Sequence, residues 1–336
     1  MSQRPTPRFG VCYDFRNPVD SGISMPDLYQ QALEQIQWLD AAGLDLIWFT
    51  EHHFVEDGYL PAWIPVASAA AALTQRVRFS SDICLLPFVN PVRLAEDLAV
   101  LDNLSNGRVE VGLGMGYAPH EFAGFGIPLS RRVSLMDEGL DVLALAFSGE
   151  RFSYTGKRYQ FSDVQITPGY VQPGGPPMWV AAMSAAGARR AARVGANFLP
   201  QGDRSATLDV WQQEMGHDAA ASRRVGIIKG VFVTDDVDGQ WPAVRDSERY
   251  RMQLYRRFFA ESNTNFGAGE HIPQTWIVGD EQHCVSEICQ FMRTYQMTDL
   301  VTWGIPPGLT SQVMNDSLER FVTAVVPAVK AELAQA

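Results

Sequence analysis

Residues 43–54 read GLDLIWFTEHHF. Residues 44–50 are a short, mostly apolar run, the pattern of a strand buried on both faces of a parallel sheet. The run ends in Glu51, His52 and His53. An acid and two imidazoles at the carboxyl end of a parallel strand sit where α/β folds place their chemistry. Consecutive strand residues point to opposite faces. His52 and His53 are therefore poorly placed to share one ion, and no metal site is expected. One imidazole should face the mouth of the fold and the other the packing or the rim. A histidine with its usual pKa of about 6.5 serves as general acid or base near neutrality. A packed structural histidine is the plainer alternative.

Other residues could hold a ligand. Gly112, Gly114 and Gly116 recur at every second position. On a strand this strips one face, which admits either a flat ligand or a close neighbouring strand. No helix begins there, unlike in a dinucleotide-binding loop. Ser184 follows the apolar run PMWVAAM and precedes AAGARRAARVG. It is an N-cap, whose free N–H groups suit a phosphate or nothing more than the helix itself. Arg132 opens another helix and supplies a cation to that phosphate or to solvent. Asp82 interrupts VRFSSDICLLP. A carboxylate there is costly unless paired, so it marks a bulge, an edge or a ligand. Trp63, Phe88, Phe122, Phe125, Phe198 and Trp303 lie at expected strand ends or loops. Together they line an apolar pocket; singly each is ordinary core.

The elements that must position these residues alternate from end to end. Strands are expected near 8–14, 44–50, 77–86, 108–114, 177–182, 196–200, 225–233 and 299–303. Helices are expected near 26–42, 62–74, 91–104, 131–148, 184–194, 205–216, 241–259, 281–296 and 311–333. Strand-then-helix alternation implies parallel strands with right-handed crossovers. Eight such units predict a (β/α)8 TIM barrel spanning 1–336 as one domain, with an open doubly wound sheet as the competitor. Two stretches break the rhythm. Residues 150–166 read as a hairpin insertion, and residues 261–279 as a lid-like insertion.

The 336 residues suffice for a large core, and a 46% hydrophobic content marks a globular chain. The net charge of −11 speaks against a nucleic-acid partner. No apolar run approaches the roughly 20 residues that span a bilayer, and the N-terminus lacks a signal-peptide core. Cys12, Cys84, Cys284 and Cys289 show no disulfide or zinc spacing and read as reduced thiols of a cytoplasmic protein.

Four motifs then occur in one order. They are Thr50-Glu-His-His-Phe54, Leu85-Leu-Pro-Phe-Val-Asn-Pro-Val-Arg-Leu-Ala-Glu-Asp97, Ser105-Asn-Gly-Arg108 with the glycine strand, and Pro177-Met-Trp-Val-Ala-Ala-Met-Ser184. This series resembles the bacterial luciferase-like flavin monooxygenases, from about residue 8 to 230 and again over 276–304. The resemblance implies a (β/α)8 barrel with flavin at its C-terminal mouth. It implies that His52 is catalytic, that Asp82-Ile83 forms a cis peptide beneath the flavin, and that Ser184 and Arg132 bind its phosphate. It places Gly114, Met115, Met183 and Gly187 at the cofactor and the lid at 261–279. His53, Trp63, Phe88, Tyr117, Phe122, Phe198 and Trp303 are the expected substrate pocket. Met115, Gly114, Met183 and Gly187 depart from the luciferases, which have Arg, Cys, Glu and Thr there. Light emission from long-chain aldehydes is therefore not implied.

The activity implied is an FMN-dependent monooxygenase. Reduced FMN from a separate NAD(P)H–flavin reductase, with O2, would oxidise an apolar small molecule through a flavin hydroperoxide. A deazaflavin-dependent hydride-transfer oxidoreductase and a non-catalytic flavin-binding accessory subunit are the alternatives. A homodimer is implied too, through helices flanking the second and third strands.

Overall fold

The computed structural model describes residues 4–201, 204–262 and 276–335. Its first half repeats a strand and a covering helix. The first two units are β1 (Arg8–Tyr13) with α1 (Met25–Ala42), and β2 (Leu46–Phe49) with α2 (Trp63–Leu73). The third has β3 (Arg78–Ser81), β4 (Cys84–Leu85) and α3 (Pro91–Ser105). The fourth has β5 (Val111–Gly114), a short α4 (Pro119–Gly124) and α5 (Arg132–Phe147). Strands β6 (Phe152–Thr155) and β7 (Gln160–Val164) then pair antiparallel.

The second half continues with β8 (Met178–Ala182) and α6 (Ala185–Arg193), then β9 (Asn197–Pro200), α7 (Arg204–Met215) and α8 (His217–Ala221). Next come β10 (Gly226–Ile228), β11 (Val231–Val233), the long α9 (Val237–Glu261), β12 (Ile277–Gly279) and α10 (Glu281–Thr294). The chain ends with β13 (Asp299–Trp303), α11 (Gln312–Arg320), a π turn and α12 (Val326–Ala334).

Local chemistry sets the boundaries. Ser24 caps α1 through the Asp27 N–H, and Gly43 closes it at φ 99°. Asn90 caps α3 ahead of Pro91. Every residue of β2 is buried, as a strand between helices and barrel interior must be.

The parallel strands close into a (β/α)8 barrel built from two half-shells. One runs β10-β13-β1-β2-β3 and the other β4-β5-β8-β9. Single bridges, Phe79 to Val109 and Phe198 to Val225, join them near the floor. Two expected strands divide. The run 77–86 breaks at Asp82-Ile83, so β3 pairs with β2 while β4 pairs with β5. The run 225–233 divides into β10, inside the barrel, and β11, which leaves it to pair with β12. β12 falls within the stretch expected as a lid; residues 263–275 of that stretch lie outside the described residues.

The floor carries a buried ionic belt. Glu110 pairs with Arg8 at 2.7 Å and Arg78 at 2.6 Å, and accepts from the Trp179 indole at 2.8 Å. Asp299 pairs with Arg8 at 2.6 Å and Arg224 at 3.2 Å. All four cysteines are buried and unbridged. Among the described residues no helix is long and apolar enough to cross a membrane.

Candidate active site

The end of β2 delivers Glu51, His52 and His53 to the barrel mouth. His52 is buried, and its Nδ1 lies 2.8 Å from Glu121 Oε1 on α4. The same oxygen accepts the His53 backbone N–H at 2.9 Å. Burial alone would raise the Glu121 pKa, but the bonds and charges of His52 and His53 outweigh it and hold it low. Glu121 is therefore an ionised acceptor, so the proton between the two belongs to Nδ1. Nε2, on the far side of the ring, makes no hydrogen bond among the described residues. Glu121 was not among the expected site residues.

Rings enclose His52. Tyr59 lies 4.8 Å away edge to face, Phe258 5.0 Å, Tyr117 5.9 Å and Tyr255 6.0 Å. Tyr59 and Tyr255 bond hydroxyl to hydroxyl at 2.8 Å. Burial pushes the phenols of Tyr59, Tyr117 and Tyr255 up, so all three stay neutral. His53 points instead to the rim. Its Nε2 is 3.1 Å from Glu51 Oε1, which also accepts the Leu85 N–H at 3.1 Å. Phe88 and Phe125 pack on the His53 ring, and Phe122 on Phe88. Phe54, at φ 58° and 60% exposed, covers the backbone of Gly124 and touches Phe125.

The Asp82-Ile83 peptide is cis. Ile83 packs against the inner core of Cys12, Trp48, Trp179 and Trp303. Asp82 carries no side-chain hydrogen bond among the described residues, and desolvation raises its pKa to about 7. The glycine face proves to be a strand-packing device. A Cβ at Gly112 would land 2.0 Å from the Ser81 carbonyl oxygen, and one at Gly114 1.8 Å from Ile83 Cδ1. Gly114 therefore seats Ile83, and its open face is already filled.

Arg132 and Ser184 stand at the starts of α5 and α6. Ser184 caps α6 by accepting the Gly187 N–H at 3.3 Å, and a Cβ on Gly187 would crowd Ala182. Ion pairs from Arg190 to Asp137 at 2.5 Å and from Arg193 to Asp141 at 2.6 Å lock α6 beside α5. Arg132 and Ser184 precede the Asp137–Arg190 tie by roughly 8 and 9 Å of helix, which brings the two N-termini to one rim. Arg132 makes no hydrogen bond or ion pair among the described residues. Met183 is 41% exposed beside them, whereas Met115 packs on the main core.

α9 walls the mouth. Arg251 is fully buried, lies 3.8 Å over the Trp303 ring, and pairs with Asp14 at 2.9 Å and Glu248 at 2.5 Å. Arg16 pairs with Asp57 at 2.8 Å and donates to the Arg251 carbonyl at 3.3 Å. Two expected pocket residues do not converge here. Phe198 faces outward and stacks on Trp211 of α7, with ring planes 9° apart. Trp63 is buried in the layer between strands and helices. Strand alternation turns Leu199 inward, so Phe198 must point away.

A model of the luciferase-like monooxygenase family matches residues 7–296. The oxygenase component of a flavin-dependent trigonelline monooxygenase from Acinetobacter baylyi is 23% identical over 333 residues, 90% of each chain. Other curated relatives are spanned less fully, over 50%, 63% and 53% of their lengths. Among solved structures, the monooxygenase RslO1 from Streptomyces bottropensis superposes with a TM-score of 0.81 at 24% identity, covering 95% of this chain and 99% of that one. An F420-dependent secondary alcohol dehydrogenase reaches 0.74 at 18% identity, covering 97% and 99%. A family match over most of the chain, on a closed barrel of the same architecture, makes this chain a member of the luciferase-like monooxygenases.

Proposed function

We propose that this chain is the oxygenase of an FMN-dependent monooxygenase acting on an apolar small molecule, with His52 as its general acid–base. The observation that carries the reading is the His52–Glu121 pair, which leaves Nε2 free to take and return a proton. The alternative of a non-catalytic subunit has no use for such a pair. The rim fits a phosphorylated cofactor. Arg132 lacks a partner among the described residues and is proposed to lie beside the α6 N-terminus, where backbone N–H groups and helix dipole favour an anion. Arg132 and Ser184 would hold the phosphate, and Ile83 would support the ring. Bound reduced flavin supplies the electrons that activate O2.

The chain's own residues do the rest. Glu121 holds the imidazole in one tautomer and orientation. The neutral rings of Tyr59, Tyr117 and Tyr255 exclude water around Nε2. A separate NAD(P)H–flavin reductase is part of the proposal, as the two-component naming of the Acinetobacter relative suggests. So is a homodimer.

Anaerobic titration with reduced FMN and with reduced deazaflavin, followed by an oxygen pulse and absorbance scans, tests the reading. Tight binding of reduced FMN and an oxygen-dependent transient are expected. Binding of deazaflavin alone, with no response to oxygen, would replace it with hydride transfer.

A further inference from the structure

We propose that Phe258 of α9 occupies the substrate's place beside His52, and that the substrate displacing it carries a flat ring. The inference rests on the proposed role of His52 and names the substrate class for that site.

His52 is 7% exposed, too little for an organic molecule to meet its ring. Tyr59 and Tyr117 come from barrel loops and border the imidazole edge-on. Tyr255 and Phe258 come from α9. Withdrawing the last turns of α9 uncovers His52 while the barrel stays as it is.

The docked face of α9 is incompletely satisfied. Arg251 Nη2 and the Trp303 Nε1 beneath its guanidinium are buried without a hydrogen-bond partner among the described residues. Unmade hydrogen bonds weaken this pose. The buried ion pairs hold α9 at Glu248 and Arg251. Beyond Arg251 its side-chain ties to the described residues of the barrel include the Tyr59–Tyr255 hydroxyl pair and the solvent-facing His120–Glu261 pair at 2.8 Å. Its apolar contacts include Leu254 and Phe258 packed on Tyr59 and Ala118, and Phe259 stacked on Tyr117. Such a segment yields to a ligand that replaces its apolar contacts.

The space it would vacate has a shape. The Phe258 ring packs on two imidazoles, that of His52 at 5.0 Å and that of His120 at 4.8 Å, tilted 49° and 40° to them. The space it fills is bordered by rings at ring-packing distance. An aromatic ring recovers the offset and edge contacts that Phe258 gives up, and a flexible chain does not.

A residue that fills its own ligand's place lowers apparent affinity by the fraction of molecules it blocks. Calorimetric titration of the flavin-free protein with benzaldehyde and with hexanal tests this. In Phe258→Ala benzaldehyde should bind at least fivefold tighter, while hexanal changes less than twofold. Phe258→Leu, which keeps most of the packing, should show the same order and covers the case in which the alanine variant misfolds. In the wild type, benzaldehyde should speed amide exchange across 252–260. Unchanged benzaldehyde affinity, an equal gain for hexanal, or slowed exchange would overturn the proposal. These measurements read binding without turnover, so the acid–base role of His52 stands or falls separately.

Discussion

Glu121 Oε1 and His52 Nδ1 meet at 2.8 Å across 69 residues of chain, and the carboxylate that makes this bond is wholly buried. An acceptor-only partner dictates which imidazole nitrogen carries the proton. Glu121→Gln removes that instruction while keeping the volume. We expect kcat to fall roughly 10- to 100-fold and its pH profile to move, with FMN affinity within about twofold. His52→Ala should lose about 10²- to 10⁴-fold in coupled turnover and still bind flavin. An unchanged pH profile in Glu121→Gln would remove the positioning role.

The rim formed by Arg132 and Ser184 predicts a split between two flavins. Arg132→Ala should weaken FMN binding by about 10- to 100-fold, the loss of one charge-assisted contact. Riboflavin, which lacks the phosphate, should bind wild type and variant alike. Equal losses for both would place Arg132 at the ring or in the fold instead.

Acid stability should depend on the floor. Burial opposes ionisation of Glu110, but Arg8 and Arg78 prevail and hold its pKa at about 2, against 4.5 ordinarily. A depressed carboxylate stabilises the fold fully above its ordinary value, and that contribution is lost as pH falls from 4.5 towards about 2. Glu110→Gln leaves Arg8 to Asp299 alone and Arg78 to Gly107 and Gln172, and should cost about 1.5–3 kcal/mol at pH 7 in denaturant unfolding. Its acid limb should be flatter than that of the wild type.

Asp82 predicts the opposite slope. Desolvation raises it from 3.8 to about 7, so the fold favours its protonated form. Its contribution is full below the ordinary value and lost as pH rises through about 7. Asp82→Asn keeps a neutral side chain at every pH and should gain at least about 1 kcal/mol at pH 8, a gain that shrinks as pH falls and is gone near pH 3. A variant less stable at pH 8 would mean that the carboxylate has a stabilising partner.

Leu73 at the end of α2, with Val100 and Leu104 one turn apart on α3, is 43%, 47% and 57% exposed. The proposed homodimer would cover this face. Val100→Glu with Leu104→Glu should shift the sedimentation mass from dimer to monomer, with unchanged circular dichroism. A wild-type monomer at micromolar concentration would end the proposal.

The barrel was legible because each of its strands is a short apolar run followed by a helical period. Asp82 marked an irregularity in the run 77–86, but the exchange of pairing partner there, from β2 to β5, was not legible, because it is a tertiary event. His52 was legible from its place at a strand end. Glu121 was hidden, since nothing local to Pro119–Gly124 marks an acid whose partner lies on another unit. Phe198 and Trp63 were assigned to the mouth because position near a strand end does not tell which face a ring occupies. The aromatic face of α9 looked like ordinary helix periodicity, and only its docking on His52 gives it a role.

The two half-shells meet by single backbone bridges low in the barrel, and side chains supplement the ladder above them. Ser81 Oγ donates to the Gly112 carbonyl at 2.7 Å and accepts its N–H at 3.2 Å, while Glu51 reaches across to Leu85. The ionic belt clamps the same boundary from below, Arg78 of β3 to Glu110 beside β5. The boundary is thus joined by backbone at its base and by side chains nearer its lip. Ligands of different girth can spread the lip without unzipping a strand. Amide exchange should then vary with ligand width at Leu85 and Gly112 and stay constant at Phe79 and Glu110.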